Sequence, residues 1–335
     1  MRALRLALAV VAGTLGCRQG PTPEASGDAA PSSELEDALR TAGIEAVTLD
    51  AASGGEGAAG GAAPEAYALV RAETEAGTFH VQWADLRRVA LGQVAGRAVS
   101  GSSESGRYHP AASPAFATLA ADSVVAAARA GGVASGAVAS GDRATGPLLA
   151  VVNGAFFETP MRTSTRLAFP LALGGEVASG GSSSKGPGAP GASGRRWDAP
   201  LRVLALGARE ARIGELDRAT GEVGGAPLGS GPWQDALASY APEAHPTRRR
   251  TRFHALGALD RTGDGAPETL VLVTNDGGSR ITDTAAILGA LGVAPQAQIA
   301  PDGGASVFVW NRAAGALHRP SRNQPLPHYL TLRLR

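Results

Sequence analysis

The chain has 335 residues, 44% of them hydrophobic, enough to bury a substantial core and to exclude disorder throughout. Lys and Arg number 31 against 30 Asp and Glu, so a net charge of +1 gives no electrostatic ground for a nucleic-acid partner. A single cysteine excludes a disulfide framework and a thiol-built metal cage.

At the N-terminus, Arg2 and Arg5 precede an apolar stretch from Leu6 to Leu15, and Gly16 stands before Cys17, the layout of a secretory signal. The stretch is too short to cross the ~30 Å of membrane hydrocarbon as a helix. Thr14-Leu15-Gly16-Cys17 resembles a bacterial lipobox, although Thr14 stands where an aliphatic residue is usual. The resemblance implies lipidation of Cys17 and an exported lipoprotein of the bacterial cell envelope, held to the membrane by its lipid. The alternative is a plain signal peptide with an incidental cysteine.

Residues 1–17 are thus read as a lipoprotein signal and 18–64, rich in Pro, Gly, Ser and Ala, as a flexible tether. Within that tether Glu34 to Leu49 has room for a short helix and a strand. From residue 65 to 335 the pattern predicts one domain. Tyr67-Ala-Leu-Val-Arg71, Thr78-Phe-His-Val-Gln-Trp83 and Arg88-Val-Ala-Leu-Gly-Gln-Val94 read as an antiparallel meander. Phe116 to Ala130 has helical spacing, with Ser113 and Pro114 to start it and Gly131-Gly132 to stop it. Leu148-Leu-Ala-Val-Val152 reads as a buried central strand that delivers Asn153-Gly154. Ser179 to Gly194 and Gly221 to Gly231 read as surface loops. Leu201–Leu206, His254–Asp260, Glu268–Thr274, Ala297–Ala300 and Val307–Trp310 follow as strands, with a helix over Thr282–Leu291. Strands outnumber helices without regular βα alternation, which predicts an α+β domain of β-rich mixed sheets with a few packed helices.

Three segments put polar residues and glycines at the ends of apolar runs. In Val151-Val-Asn-Gly-Ala-Phe-Phe-Glu158, Asn153 offers an amide, Gly154 a tight turn or close approach, and Glu158 a carboxylate; a plain strand exit is the bland alternative. In Ala300-Pro-Asp-Gly-Gly-Ala-Ser-Val307, Asp302 is a candidate acid or base, and Gly303 and Gly304 can bare backbone N–H groups to an oxygen ligand; a hairpin turn is the alternative. In Arg248-Arg-Arg-Thr-Arg-Phe-His254, a guanidinium suits a phosphate oxygen pair, whereas charge runs commonly form solvated loops.

Taken together, Asn153-Gly-Ala-Phe-Phe157, the helix Thr282–Leu291 followed by Gly292, and Asp302-Gly-Gly-Ala-Ser306 resemble the phosphodiester glycosidase family, whose members split a sugar from a sugar phosphodiester. The resemblance runs from about Pro64 to the C-terminus and is strongest from Val271 to Asn311, through Asp276-Gly-Gly and Thr282. It implies that Asn153 and Asp302 are catalytic; Glu158 joins Asp302 as a candidate for the carboxylate that activates water or stabilises an oxocarbenium-like centre. Gly154, Asp276, Thr282, Gly303, Gly304 and Ser306 would contact substrate, with Arg250 or Arg252 on the phosphate. Ala155 and Ala305 replace family glycines, and Phe253 and His254 intervene where the family places Arg directly before a hydroxyl residue and Ala-Ile-Gly.

The implied activity is hydrolysis of an N-acetylglucosamine-like sugar from a glycosyl phosphodiester; the alternative is a glycan-binding or scaffold lipoprotein of the same fold without turnover. A phosphate monoester leaves readily, so charge stabilisation weighs more than strong general acid catalysis. No cofactor or metal is expected: His109, His245 and His254 lack zinc-site spacing, and Asp260-Arg-Thr-Gly-Asp-Gly265 lacks the ligands of a calcium loop.

Overall fold

The computed structural model describes residues 31–53, 65–141, 144–182, 199–247 and 249–335. Cys17 and the expected signal lie outside them, as do residues 183–194 of the loop expected over Ser179 to Gly194.

The α+β class is borne out, and every ladder among the described strands is antiparallel. Two six-stranded sheets face one another. The first runs Glu45–Ser53, Glu65–Thr74, Gly77–Asp85, Thr269–Asn275, His254–Leu259, Gln298–Ile299 in spatial order. The second runs Gly315–His318, Val309–Asn311, Leu148–Asn153, His328–Leu334, Val89–Gly96, Ala137–Gly141. A third sheet of five strands, ordered Glu176–Gly180, Pro170–Leu173, Ala236–Tyr240, Leu201–Leu206, Ala211–Glu215, lies alongside.

Side-chain alternation explains the layering. Tyr67, Leu69, Leu270 and Leu272 point from the first sheet into the central core, where Leu91, Leu149, Leu330 and Leu332 of the second sheet and Leu171, Leu204 and Leu237 of the third meet them. Their neighbours Ala68, Val70, Val271 and Val273 point the other way, onto the helices Pro31–Thr41 and Ile281–Ala290. The helix Ala121–Arg129 covers the outer face of the second sheet with Val124, Val125 and Ala128.

Four expectations change. The helix expected from Phe116 begins only at Ala121, because Ala115–Ala117 pairs as a strand with Ser164–Arg166 and buries Phe116 in the central core. The expected meander breaks after its second strand, since Val89–Gly96 crosses to the second sheet and pairs with His328–Leu334. Residues 221–231 are more than a loop, holding a short hairpin of Glu222–Val223 with Ala226–Pro227. Finally, residues 31–53 do not tether the domain but form part of it. The helix buries Leu35 and Leu39, and the strand pairs along its length with Glu65–Thr74. Asp50 on that strand accepts from Arg312 (3.0 Å) and from Asn311 (3.0 Å) on the second sheet, tying the two sheets together.

Candidate functional site

The site forms where strands of the two facing sheets end close together. Leu148–Asn153 is a fully buried strand of the second sheet whose last residue is Asn153, and His254–Leu259 of the first sheet begins with His254. The backbone knits the three polar segments to one another. Asp302 N–H donates to the Gly154 carbonyl (2.9 Å), and Gly304 N–H donates to the Arg252 carbonyl (2.7 Å). The turn is closed by Ser306, whose hydroxyl donates to the Gly303 carbonyl (2.9 Å).

Side chains extend this contact into a chain of polar groups. The Asn153 Nδ2 group donates to Asp302 Oδ2 at 3.4 Å, and both residues are buried, at 2% and 4% exposure. Asn153 Oδ1 accepts from Phe308 N–H (2.7 Å) and faces His254 Nε2 at 2.7 Å. An amide oxygen only accepts, so His254 carries its proton on Nε2, and its Nδ1 accepts from the Thr274 hydroxyl at 2.7 Å. His254 is wholly buried, and that desolvation, reinforced by nearby His318, pushes its pKa from 6.5 to about 3; the imidazole is neutral.

Next to this chain, His80 Nδ1 and His318 Nε2 meet at 3.2 Å. Burial pushes His318 down to about 4, with the His80 and Arg252 charges acting in the same direction and Asp276 opposing them. His80 is lowered as well, mainly by burial and then by Arg71. Arg252 donates to the Arg319 carbonyl (2.9 Å), and Arg250 to the Gly278 carbonyl (2.7 Å).

The glycines differ in what they permit. A Cβ on Gly154 would lie 2.5 Å from His328 Nδ1, and one on Gly303 would lie 2.8 Å from the Phe253 ring, so each permits a close approach. Gly304 instead has open space and a φ of +74°. Ala155 and Ala305 need no glycine-only backbone: among the described residues only Met161, Arg322 and Asn323 combine a side chain with positive φ.

Of the residues singled out in the sequence, Asn153, Gly154, Arg252, Asp302, Gly303, Gly304 and Ser306 come together. Asp276 is exposed at the turn after Thr269–Asn275 and acts on His80 and His318 through its charge. Thr282 does not join them: it is exposed on the helix Ile281–Ala290, and it is Thr284 that turns inward to accept from the Asn275 amide (3.2 Å). Glu158 is half-buried, with its N–H on the Arg166 carbonyl (3.0 Å), and takes no part in the hydrogen bonds just described around Asn153 and Asp302. Among the described residues no group of three or more His, Cys, Asp or Glu side chains is arranged to hold a metal ion.

Sequence reasoning missed His254, Thr274, His80, His318 and His328. The available signal was position: His254 opens one apolar strand and Thr274 sits near the end of its partner, directly opposite in register. His328 is buried behind Gly154, accepting from Ala155 N–H (3.1 Å) and donating through Nε2 to Gln93 Oε1 (3.0 Å). Burial pushes it to about 3.

No protein-family model and no curated protein sequence matches the chain. Solved structures that match the chain at low identity include the following three. The catalytic domain of zebrafish N-acetylglucosamine-1-phosphodiester alpha-N-acetylglucosaminidase, auto-inhibited by its pro-peptide, is 14% identical with a TM-score of 0.46, over 92% of this chain and 94% of that one. A Synechocystis protein is 13% identical with a TM-score of 0.36, over 81% of this chain and 62% of that one. A Burkholderia pseudomallei protein is 14% identical with a TM-score of 0.40, over 81% of this chain and 75% of that one.

Proposed function

We propose that this chain is an exported hydrolase that removes an N-acetylglucosamine-like sugar from a glycosyl phosphodiester of the cell envelope. The observation that carries the reading is the meeting of Asn153 and Asp302, from motifs 149 residues apart, with Arg252 joined to the same turn through its carbonyl. Water attacks the anomeric carbon, the bond from that carbon to the phosphate oxygen breaks, and the phosphate monoester departs. Asp302 takes the proton of the attacking water or stabilises the positive charge that develops at the sugar. Arg252 and the Gly303 backbone N–H offset the charge of the phosphate, Gly304 N–H being taken up by the Arg252 carbonyl.

A second reading, a glycan-binding protein of the same fold without turnover, draws support from the burial of Asp302 at 4% exposure. Sugar release from N-acetylglucosamine phosphodiesters by the full chain, beside Asp302→Ala, tests both. A fall of about 10²–10⁴-fold in the variant supports hydrolysis, whereas saccharide binding with no release by either protein supports the second reading. Attachment to the membrane through Cys17 belongs to the same proposal, and lipid labelling lost in Cys17→Ser tests it.

A further inference from the structure

We infer that His254 is a positioning residue for Asp302, acting through Asn153: the donors of Thr274, His254 and Asn153 form one chain, each pointing toward the carboxylate. The inference rests on the reading of Asp302 as the working carboxylate. The Thr274 hydroxyl donates to His254 Nδ1, His254 Nε2–H donates to Asn153 Oδ1, and the Asn153 amide donates to Asp302 Oδ2, at 2.7, 2.7 and 3.4 Å. Reversal of the Asn153 amide would set its NH₂ group against two donors, His254 Nε2–H and Phe308 N–H, so its orientation is held from two sides. Donors aligned in series polarise one another, which favours the ionised form of a carboxylate that is almost wholly buried. The charged and titratable groups that act on the histidine end of this chain are His318 on Gly315–His318, His80 on Gly77–Asp85, and beyond them Arg71, Glu73, Arg252 and Asp276. The variants below leave all of them in place.

Three full-length variants separate positioning from packing. His254→Leu keeps the volume but removes the donor, His254→Gln restores an N–H toward Asn153, and Thr274→Val removes only the outermost donor. Two readouts are taken below the unfolding temperature: the pH profile of kcat/KM for sugar release, and the carboxyl ¹³C titration of Asp302, assigned with Asp302→Asn. The expected result is an upward move of the Asp302 titration and of the acid limb by about 0.5–1 pH unit in His254→Leu. A smaller move is expected in Thr274→Val, and near-normal behaviour in His254→Gln. Titrations that coincide in wild type and folded His254→Leu would overturn the inference, since a structural role moves only the melting temperature. If His254→Leu does not fold, Thr274→Val decides by the same two measurements. If wild type releases no sugar, the hydrolase reading fails while the carboxyl titration still decides the role of His254.

Discussion

Replacing Gly154 with alanine tests whether this glycine is present for space. Its φ is not in the left-handed region, so an added methyl costs nothing in backbone strain; the whole effect is contact. The new Cβ would stand 2.5 Å from His328 Nδ1, 2.7 Å from His328 Cε1 and 3.4 Å from Leu330 Cγ. The imidazole has no room to yield, being 1% exposed and held on both sides, by Ala155 N–H and by Gln93. Overpacking costs about 1–3 kcal/mol, and a buried hydrogen-bonding group left without its partner costs about 1–3 kcal/mol more. Reduced freedom of the unfolded chain returns about 0.4–1 kcal/mol. A net destabilisation of about 1–5.5 kcal/mol follows, read as a lower urea midpoint at unchanged slope. Gly304→Ala is the internal comparison: it has open space but φ +74°, so it should lose only about 1–2 kcal/mol through backbone strain. An unfolding free energy for Gly154→Ala within about 0.5 kcal/mol of wild type would refute the argument, because surface substitutions have effects of that size.

Stability should fall with acidity before the carboxylates titrate. His254 and His328 sit near 3 and His318 near 4 in the folded chain against 6.5 ordinarily, so the unfolded chain binds the extra protons. Their contribution is complete above pH 6.5 and is lost as pH falls toward 3–4, at about 1.4 kcal/mol per pH unit for each histidine. Equal urea midpoints at pH 7.5 and pH 5 would contradict this. Separately, a chain beginning at residue 65 should be markedly less stable than one beginning at residue 31. It loses burial of Leu35 and Leu39, about 1.5–3 kcal/mol each, and leaves Arg312 and Asn311 without Asp50. Thermal unfolding of the two chains side by side, with equal midpoints, would show the segment to be dispensable.

Elements were legible in the sequence where an apolar run had clear ends. Leu148–Asn153, His254–Leu259 and Thr269–Asn275 are such runs, and the helix Ile281–Ala290 differs from its expected span by one residue at each end. Alanine blurred the rest, since it fits helix and strand alike: Ala115-Phe-Ala117 reads equally well either way, and only its pairing with Ser164–Arg166 decides. The strand His328–Leu334 was missed although its alternation is plain, and it lies in the middle of the second sheet. A short helix and a strand were legible within Glu34 to Leu49, but their place in the domain was not, because their burial depends on a pairing partner beyond residue 64. The candidate site followed the same division. Asn153 and Asp302 announce themselves at strand ends, whereas the bond from His254 to Asn153 joins residues 101 apart on different sheets and has no local signature.

The incorporation of residues 31–53 into the first sheet alters the geometry of anchoring. If Cys17 carries the proposed lipid, residues 18–30 separate it from the first described helix, a distance of at most about 45 Å, whereas a separation by residues 18–64 would allow about 165 Å. Under the proposed lipidation, so short a span would hold the domain close to the bilayer, within reach of head groups and the innermost glycans, and would put ligands deeper in the envelope beyond its range.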